Sequence, residues 1–92
     1  MVVEFDENKR RFTLDVRGLD MARAGEVFAG ATLTVADDRK DYGEDRFITI
    51  GFLDGSMVIL AWTPRDGAHR IISMRKANER ERAHCTPRFG PG

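Results

Sequence analysis

The fold is decided between Arg46 and Arg75, where Arg46–Phe52 reads RFITIGF, Met57–Thr63 reads MVILAWT and Arg70–Arg75 reads RIISMR. Each run is rich in β-branched and aromatic residues and has the length of a strand rather than a helix. Leu53-Asp54-Gly55-Ser56 separates the first two runs, and its Asp-Gly pair supplies the positive φ that a tight hairpin needs. Pro64-Arg65-Asp66-Gly67 is a second turn signal of the same kind. Strands so close in sequence pair with their neighbours, which predicts a three-strand meander.

Working towards the N-terminus, Asp37–Asp45 is a charged connection without hydrophobic periodicity, and Thr32–Val35 alternates as a fourth strand. Upstream the period becomes helical. Asp6 is an N-cap candidate for a helix over Glu7–Val16, with Phe5, Lys9, Phe12 and Val16 at helical spacing and Gly18 as the stop. Asp20 caps a second, short helix whose Met21, Ala24, Val27 and Phe28 make one apolar face, ended by Gly30. Val2, Val3 and Phe5 form a brief β-prone start. Towards the C-terminus, Ala77–Ala83 is polar and helix-competent, with Asn78 and Glu81 spaced as a capping box. The expected fold class is α+β: two N-terminal helices packed on a mainly antiparallel four-stranded sheet, followed by a short C-terminal helix. Residues 1–84 are expected to form a single domain and residues 85–92 a flexible tail.

Ninety-two residues, 41% hydrophobic and 33% charged, fit one highly solvated globular domain. No run approaches a membrane span or resembles a signal peptide, and Cys85 alone provides neither a disulfide nor a multi-cysteine metal site. These features point to the cytoplasm. The formal net charge is zero, but it is unevenly spread. Residues 1–45 hold seven Lys/Arg against eleven Asp/Glu, and residues 46–92 hold eight against four. Such asymmetry hints at contact with a polyanion on one side of the molecule.

Several blocks of the chain, in order, carry a family resemblance. Phe5-Asp6-Glu7-x-Lys9 is similar to a W-D-x-x-K opening, with Phe in place of Trp. Asp37-Asp38-Arg39-Lys40-Asp41-Tyr42-Gly43-Glu44-Asp45-Arg46 resembles D-x-R-x-D-Y-G-E-x-R, and Ile50-Gly51 and the Leu53-Asp54-Gly55 hairpin follow it. Arg70-Ile71-Ile72-Ser73-x-Arg75-x-Ala77 and Glu79-Arg80 resemble R-I-I-S-x-R-x-A…E-R. Together these blocks resemble the BrnT family of toxins over residues 3–83. The resemblance implies a RelE-like fold and RNA cleavage without metal or cofactor. It also implies a BrnA-like ribbon-helix-helix antitoxin that covers the active surface and through which alone operator DNA is bound; no membrane is involved. Two departures stand out. Thr13 stands where the family shows Asn after Lys9, and Val16-Arg17-Gly18 stands at the end of the first helix where the family carries Lys-His-Gly; Arg17 cannot give up its proton as an imidazole does.

Metal-independent RNA cleavage needs a base for the 2′-hydroxyl, cations for the crowded phosphate and an acid for the leaving oxygen. Arginine suits the phosphate because its planar fork bonds two oxygens at once. Arg75 leads these candidates because Ile71 and Ile72 anchor its strand; Arg46 follows, and the acids of residues 37–45 could instead pair with both. Lys76, Glu44 and His84 complete the candidate catalytic set, with Lys9, Arg17, Arg70, Arg80 and Arg82 as substrate-binding candidates. His69 and Glu79 are further proton-transfer candidates, although His69 adjoins a turn and His84 a ragged terminus. Lys9 could equally be a solvated helix lysine. Trp62 reads first as core and Phe47 or Phe52 as possible stacking surfaces. A competing reading keeps the shape but not the chemistry: a non-catalytic module that only docks a DNA-binding partner.

Overall fold

The computed structural model describes residues 1–90. The elements follow in the order β1 (Val3–Phe5), α1 (Glu7–Arg17), a 3-10 turn (Met21–Arg23), α2 (Ala24–Ala29), β2 (Leu33–Ala36), β3 (Phe47–Leu53), β4 (Ser56–Arg65), β5 (Ala68–Lys76), α3 (Glu79–Cys85) and a 3-10 turn (Thr86–Phe89). The fold is α+β with a mixed sheet of order β1-β5-β4-β3-β2. The expectation of four antiparallel strands is corrected to five. Val3, Glu4 and Phe5 pair in parallel with His69, Arg70 and Ile71, so the β-prone start is an edge strand.

Local chemistry accounts for most of the boundaries. Asp54 (φ 51°) and Gly55 (φ 78°) turn the β3–β4 hairpin, and Asp66 (φ 52°) and Gly67 (φ 79°) turn β4–β5; both pairs have the two positive φ values of a tight hairpin. Asp6 accepts from the Asn8 and Lys9 amides, and Gly18 ends α1 at φ 70°. Asn78 and Glu81 form both halves of a capping box on α3. The second helix is shorter than expected, because Asp20 caps a 3-10 turn through the Ala22 amide before α2 begins.

The inner sheet face carries the main core. Val58, Leu60, Trp62, Ile71 and Met74 pack against Met21, Ala24 and Val27 from the turn and α2. Each of the larger aliphatic side chains contributes on the order of 1.5–3 kcal/mol by leaving water. Trp62 is buried, stacks on Phe47 at 5.0 Å and donates its Nε1–H to Thr49 Oγ1 at 2.8 Å. The outer face holds a second cluster: Ile48, Ile50, Met57 and Ile59 meet Ala77 and Cys85.

α1 does not bury the stripe its spacing suggested. Phe12 is 57% and Val16 64% exposed, whereas Thr13 is 3% exposed. The helix lies along β5 beyond the short β1 pairing, and Arg17 Nη1 donates to the edge carbonyl of Met74 at 3.0 Å. A helix beside a strand edge needs a narrow polar contact line rather than a broad apolar one. Residues 85–89, expected to fray, continue the fold: Cys85 is buried, and Phe89 meets Phe52 with ring centroids 5.0 Å apart. The last two residues of the expected tail, 91 and 92, lie outside the described residues.

Candidate functional site

A break in strand regularity assembles the candidate site. Along a strand, residues an odd number of positions apart face opposite ways. Arg70 and Arg75 are therefore expected on opposite faces. The β4–β5 pairing, however, passes from Ala61↔Ser73 to Trp62↔Ile71, which leaves Ile72 as an extra, bulged residue. The bulge re-phases β5. Ile71 and Met74 both point into the inner core, while Arg70, Ser73 and Arg75 share the outer face with Thr63, Ala61 and Ile59. Ile71 anchors the strand as expected, but Ile72 is only half-buried.

Arg46 lies two positions before Ile48 and so on this same outer face. The two leading candidates therefore share a face, but they occupy different ends of it. At one end, a concavity of about 390 Å³ is lined by Lys9, Glu44, Arg46, Thr63, Pro64, Arg65, Arg70 and Ile72. It brings four cations together with a single carboxylate. Arg46 Nε donates to Glu44 Oε2 at 3.2 Å, and its guanidinium lies 3.9 Å from the centre of the Tyr42 ring. Among the described residues, Lys9, Arg65 and Arg70 make no ion pair. Lys9 comes from the first turns of α1, Arg65 from the end of β4 and Arg70 from β5, so three separate elements converge.

Arg75 stands at the other end, beneath α3. Both of its Nη atoms bond the Glu81 carboxylate, at 2.7 Å each. The partner is α3, not the acids of residues 37–45 that the sequence suggested. Of those acids, Glu44 does pair with Arg46, and Asp37 holds Arg39 through 2.8 and 2.9 Å bonds. The two Arg75 bonds, followed by the Asn78 amide, hold the Glu81 carboxyl down to about 2, against the opposing effect of burial. Glu81 in turn raises Arg75. Arg39 likewise lowers Asp37, first through its side-chain bonds.

The remaining candidates are dispersed. Lys76 pairs with Val58 in register and lines a hollow with Leu53 and Asp54, on the opposite sheet face from its neighbour Arg75. Arg17 is occupied by the Met74 carbonyl and Arg82 by the Ala77 carbonyl at 2.8 Å. Arg80 and Glu79 are exposed on α3. His84 lies 3.4 Å from Arg88. His69 is wedged between Trp62 and Phe28, at ring distances of 4.2 and 4.9 Å, on the inner face. Neither histidine reaches the cation cavity. Phe47 and Trp62 are committed to core packing. Sequence reasoning missed Arg65, hidden within a turn signal, and Tyr42. The usable signal was the Ile71-Ile72 doublet, which breaks the strand's alternation and marks the bulge.

No helix among the described residues is long and apolar enough to cross a membrane. Among the same residues, no three His, Cys, Asp or Glu side chains form a metal-binding set. A family model described as "Ribonuclease toxin, BrnT, of type II toxin-antitoxin system" matches residues 5–81. No curated protein matches the chain.

Proposed function

From the premise that this chain belongs to the BrnT family of ribonuclease toxins of type II toxin–antitoxin systems, we propose that it cleaves RNA at the outer-face cavity of Lys9, Glu44, Arg46, Arg65 and Arg70. The observation that carries the reading is four cations and one carboxylate in a single concavity. Four positive side chains converging on one acid repel one another unless a polyanion enters, and a phosphodiester backbone supplies one. Arg46 and Arg70 stand two strands apart, about 10 Å between backbones, so their forks can reach one phosphate from either side.

The residues assign themselves to roles by chemistry. Glu44 accepts from Arg46 through one oxygen and keeps the other to take the 2′-hydroxyl proton as general base. The 2′-oxygen attacks phosphorus, the bond to the 5′-oxygen breaks, and Arg46, Arg65 and Arg70 bear the charge on the non-bridging oxygens. Lys9 donates a proton to the departing 5′-oxygen. The products are a 2′,3′-cyclic phosphate and a 5′-hydroxyl, formed without a metal or cofactor. Arg75, held by Glu81 at the far end of the same face, takes no part in these steps.

The same reading places the protein in the cytoplasm on a RelE-like fold, where free toxin arrests growth. A BrnA-like ribbon-helix-helix antitoxin neutralises it and carries operator DNA binding for the pair. Purified protein incubated with RNA in EDTA is expected to leave cyclic-phosphate ends, and Arg70→Ala is expected to slow this by at least 10²-fold, the scale of losing a donor to transition-state charge. Cleavage that requires an added divalent ion, or that persists unchanged in Arg70→Ala, would refute the assignment. Arg17 favours a second reading: it is bonded to a backbone carbonyl and stands where the family has histidine. A docking-only module would leave RNA intact while still binding its partner.

A further inference from the structure

The outer face has a second cavity, between the strands and α3, that the cleavage chemistry leaves unused. It is lined by Ile48, Ile50, Ile59 and Ala61 along its floor, with Ser73, Arg75, Glu81, Asp37 and Arg39 around it, and spans about 420 Å³. We propose that this cavity is a nucleobase subsite: one base of a single-stranded RNA lies on the aliphatic floor against the guanidinium faces of Arg75 and Arg39. The proposal rests on the reading of the neighbouring cation cavity as the place where RNA phosphates bind.

Three observations carry it. The first is continuity. The row Ile48–Ala61–Ser73 is the next row along the outer face from Thr63–Arg70, beside which Arg46 lines the cation cavity. The two rows lie one pleat step, about 7 Å, apart. A strand whose phosphate rests on the cation row therefore has its adjoining sugar and base within reach of the apolar floor.

The second is the state of the two arginines. Glu81 takes both Nη atoms of Arg75 at 2.7 Å, and Asp37 takes Nε and Nη2 of Arg39 at 2.8 and 2.9 Å. A carboxylate placed in this way uses in-plane donors and fixes the guanidinium plane. It removes the fork that would grip a phosphate but leaves the two flat faces, on which unstacked RNA bases are held. The guanidiniums remain in water's reach, with side-chain exposures of 43% for Arg75 and 75% for Arg39. Both side chains line the same cavity.

The third is the contrast in charge between the two cavities. The cation cavity holds four positive groups against one carboxylate, whereas here two arginines face two carboxylates. A neutral aliphatic pocket repays a flat heterocycle and penalises a phosphate. Ser73 adds a hydroxyl at the junction, where it can bond a base edge. The floor is not sealed by α3: Ile48, Ile50 and Ala61 are only half-buried.

The test compares strands with and without bases. Affinities are measured for a mixed-sequence single-stranded 2′-deoxy oligonucleotide, which lacks the attacking hydroxyl and survives, and for an abasic strand of equal length. Wild-type protein should favour the base-bearing strand by about 5- to 150-fold, the range for one stacked base. Ala61→Phe, which fills the floor, and Arg75→Lys, which keeps the charge but loses the plane, should each reduce that preference several-fold. Ala61→Phe should leave the salt dependence of binding unchanged, because the cation row is intact. Equal binding of both strands by the wild type would overturn the proposal and give the cavity to another occupant, such as an apolar side chain of a protein partner. So would a preference that survives both substitutions. Failure of RNA cleavage with the base preference intact would instead sink the catalytic reading and leave the subsite standing.

Discussion

Glu81→Gln isolates the ion pair that ties α3 to the sheet. Glutamine can still return a bond to the N-cap amide in a capping box, so the substitution mainly removes charge from the Arg75 contact. In the folded protein the Glu81 carboxyl falls from 4.5 to about 2, through Arg75 first and the Asn78 amide second. A drop of that size corresponds to about 3 kcal/mol. Arg75 keeps 43% of its side chain in water, and screening reduces the contribution to about 1 kcal/mol. The sign follows from a folded-state value lying below the unfolded one. The stabilisation is complete above pH 4.5 and is lost as the pH falls towards 2. Urea unfolding of both proteins at pH 7, 5 and 3 reads this directly. The variant should be about 1 kcal/mol less stable at pH 7 and 5, a Tm loss of about 4–8 °C for a domain of this size. The gap should shrink by more than half at pH 3. Equal stability at pH 7, or a gap that widens on acidification, would refute the reasoning.

Other sites give independent checks. A Cβ on Gly51 would lie 2.6 Å from Val27 Cγ1 and 3.2 Å from Thr32 Cγ2; Gly51→Ala should therefore cost about 1–3 kcal/mol in chemical denaturation, and unchanged stability would contradict the packing of α2 on β3. Trp62→Phe deletes the 2.8 Å bond to Thr49 Oγ1, while Thr49 keeps its hydroxyl partner Thr34. Lost bond and lost ring area together should lower stability by about 1–3 kcal/mol, as thermal melts would show. Arg65→Ala, at the exposed end of β4, should stay within about 0.5 kcal/mol of wild-type stability yet weaken RNA binding; unaltered binding would remove Arg65 from the phosphate-binding set.

Local signals in the sequence set the hairpins, the caps and most element limits, because each depends on chemistry within a few residues. Asp54-Gly55, Asp66-Gly67, Asp6, Gly18 and the Asn78–Glu81 box all act at short range. What escaped depends on distant partners. Val3–Phe5 becomes a strand only because β5 offers it a parallel edge, and nothing adjacent in sequence announces that partner. The exposed Phe12 and Val16 show that periodicity names a stripe without saying what lies opposite it; α1 meets a strand edge and buries Thr13 instead. At the site, the gathering of arginines on one face was legible from their number in the second half. Their division was not. Glu81 captures Arg75 across the α3 turn, the bulge at Ile72 brings Arg70 round to the outer face, and Lys76 is left on the inner one.

The central claim, that Lys9, Arg46, Arg65 and Arg70 act together on an RNA backbone, is tested most directly by the salt dependence of RNA affinity. With the four cations engaged, a plot of log affinity against log salt for single-stranded RNA should have a slope of about −3, and Arg70→Ala should reduce its magnitude by about 0.7. A slope near zero, or one that Arg70→Ala leaves untouched, would contradict the account.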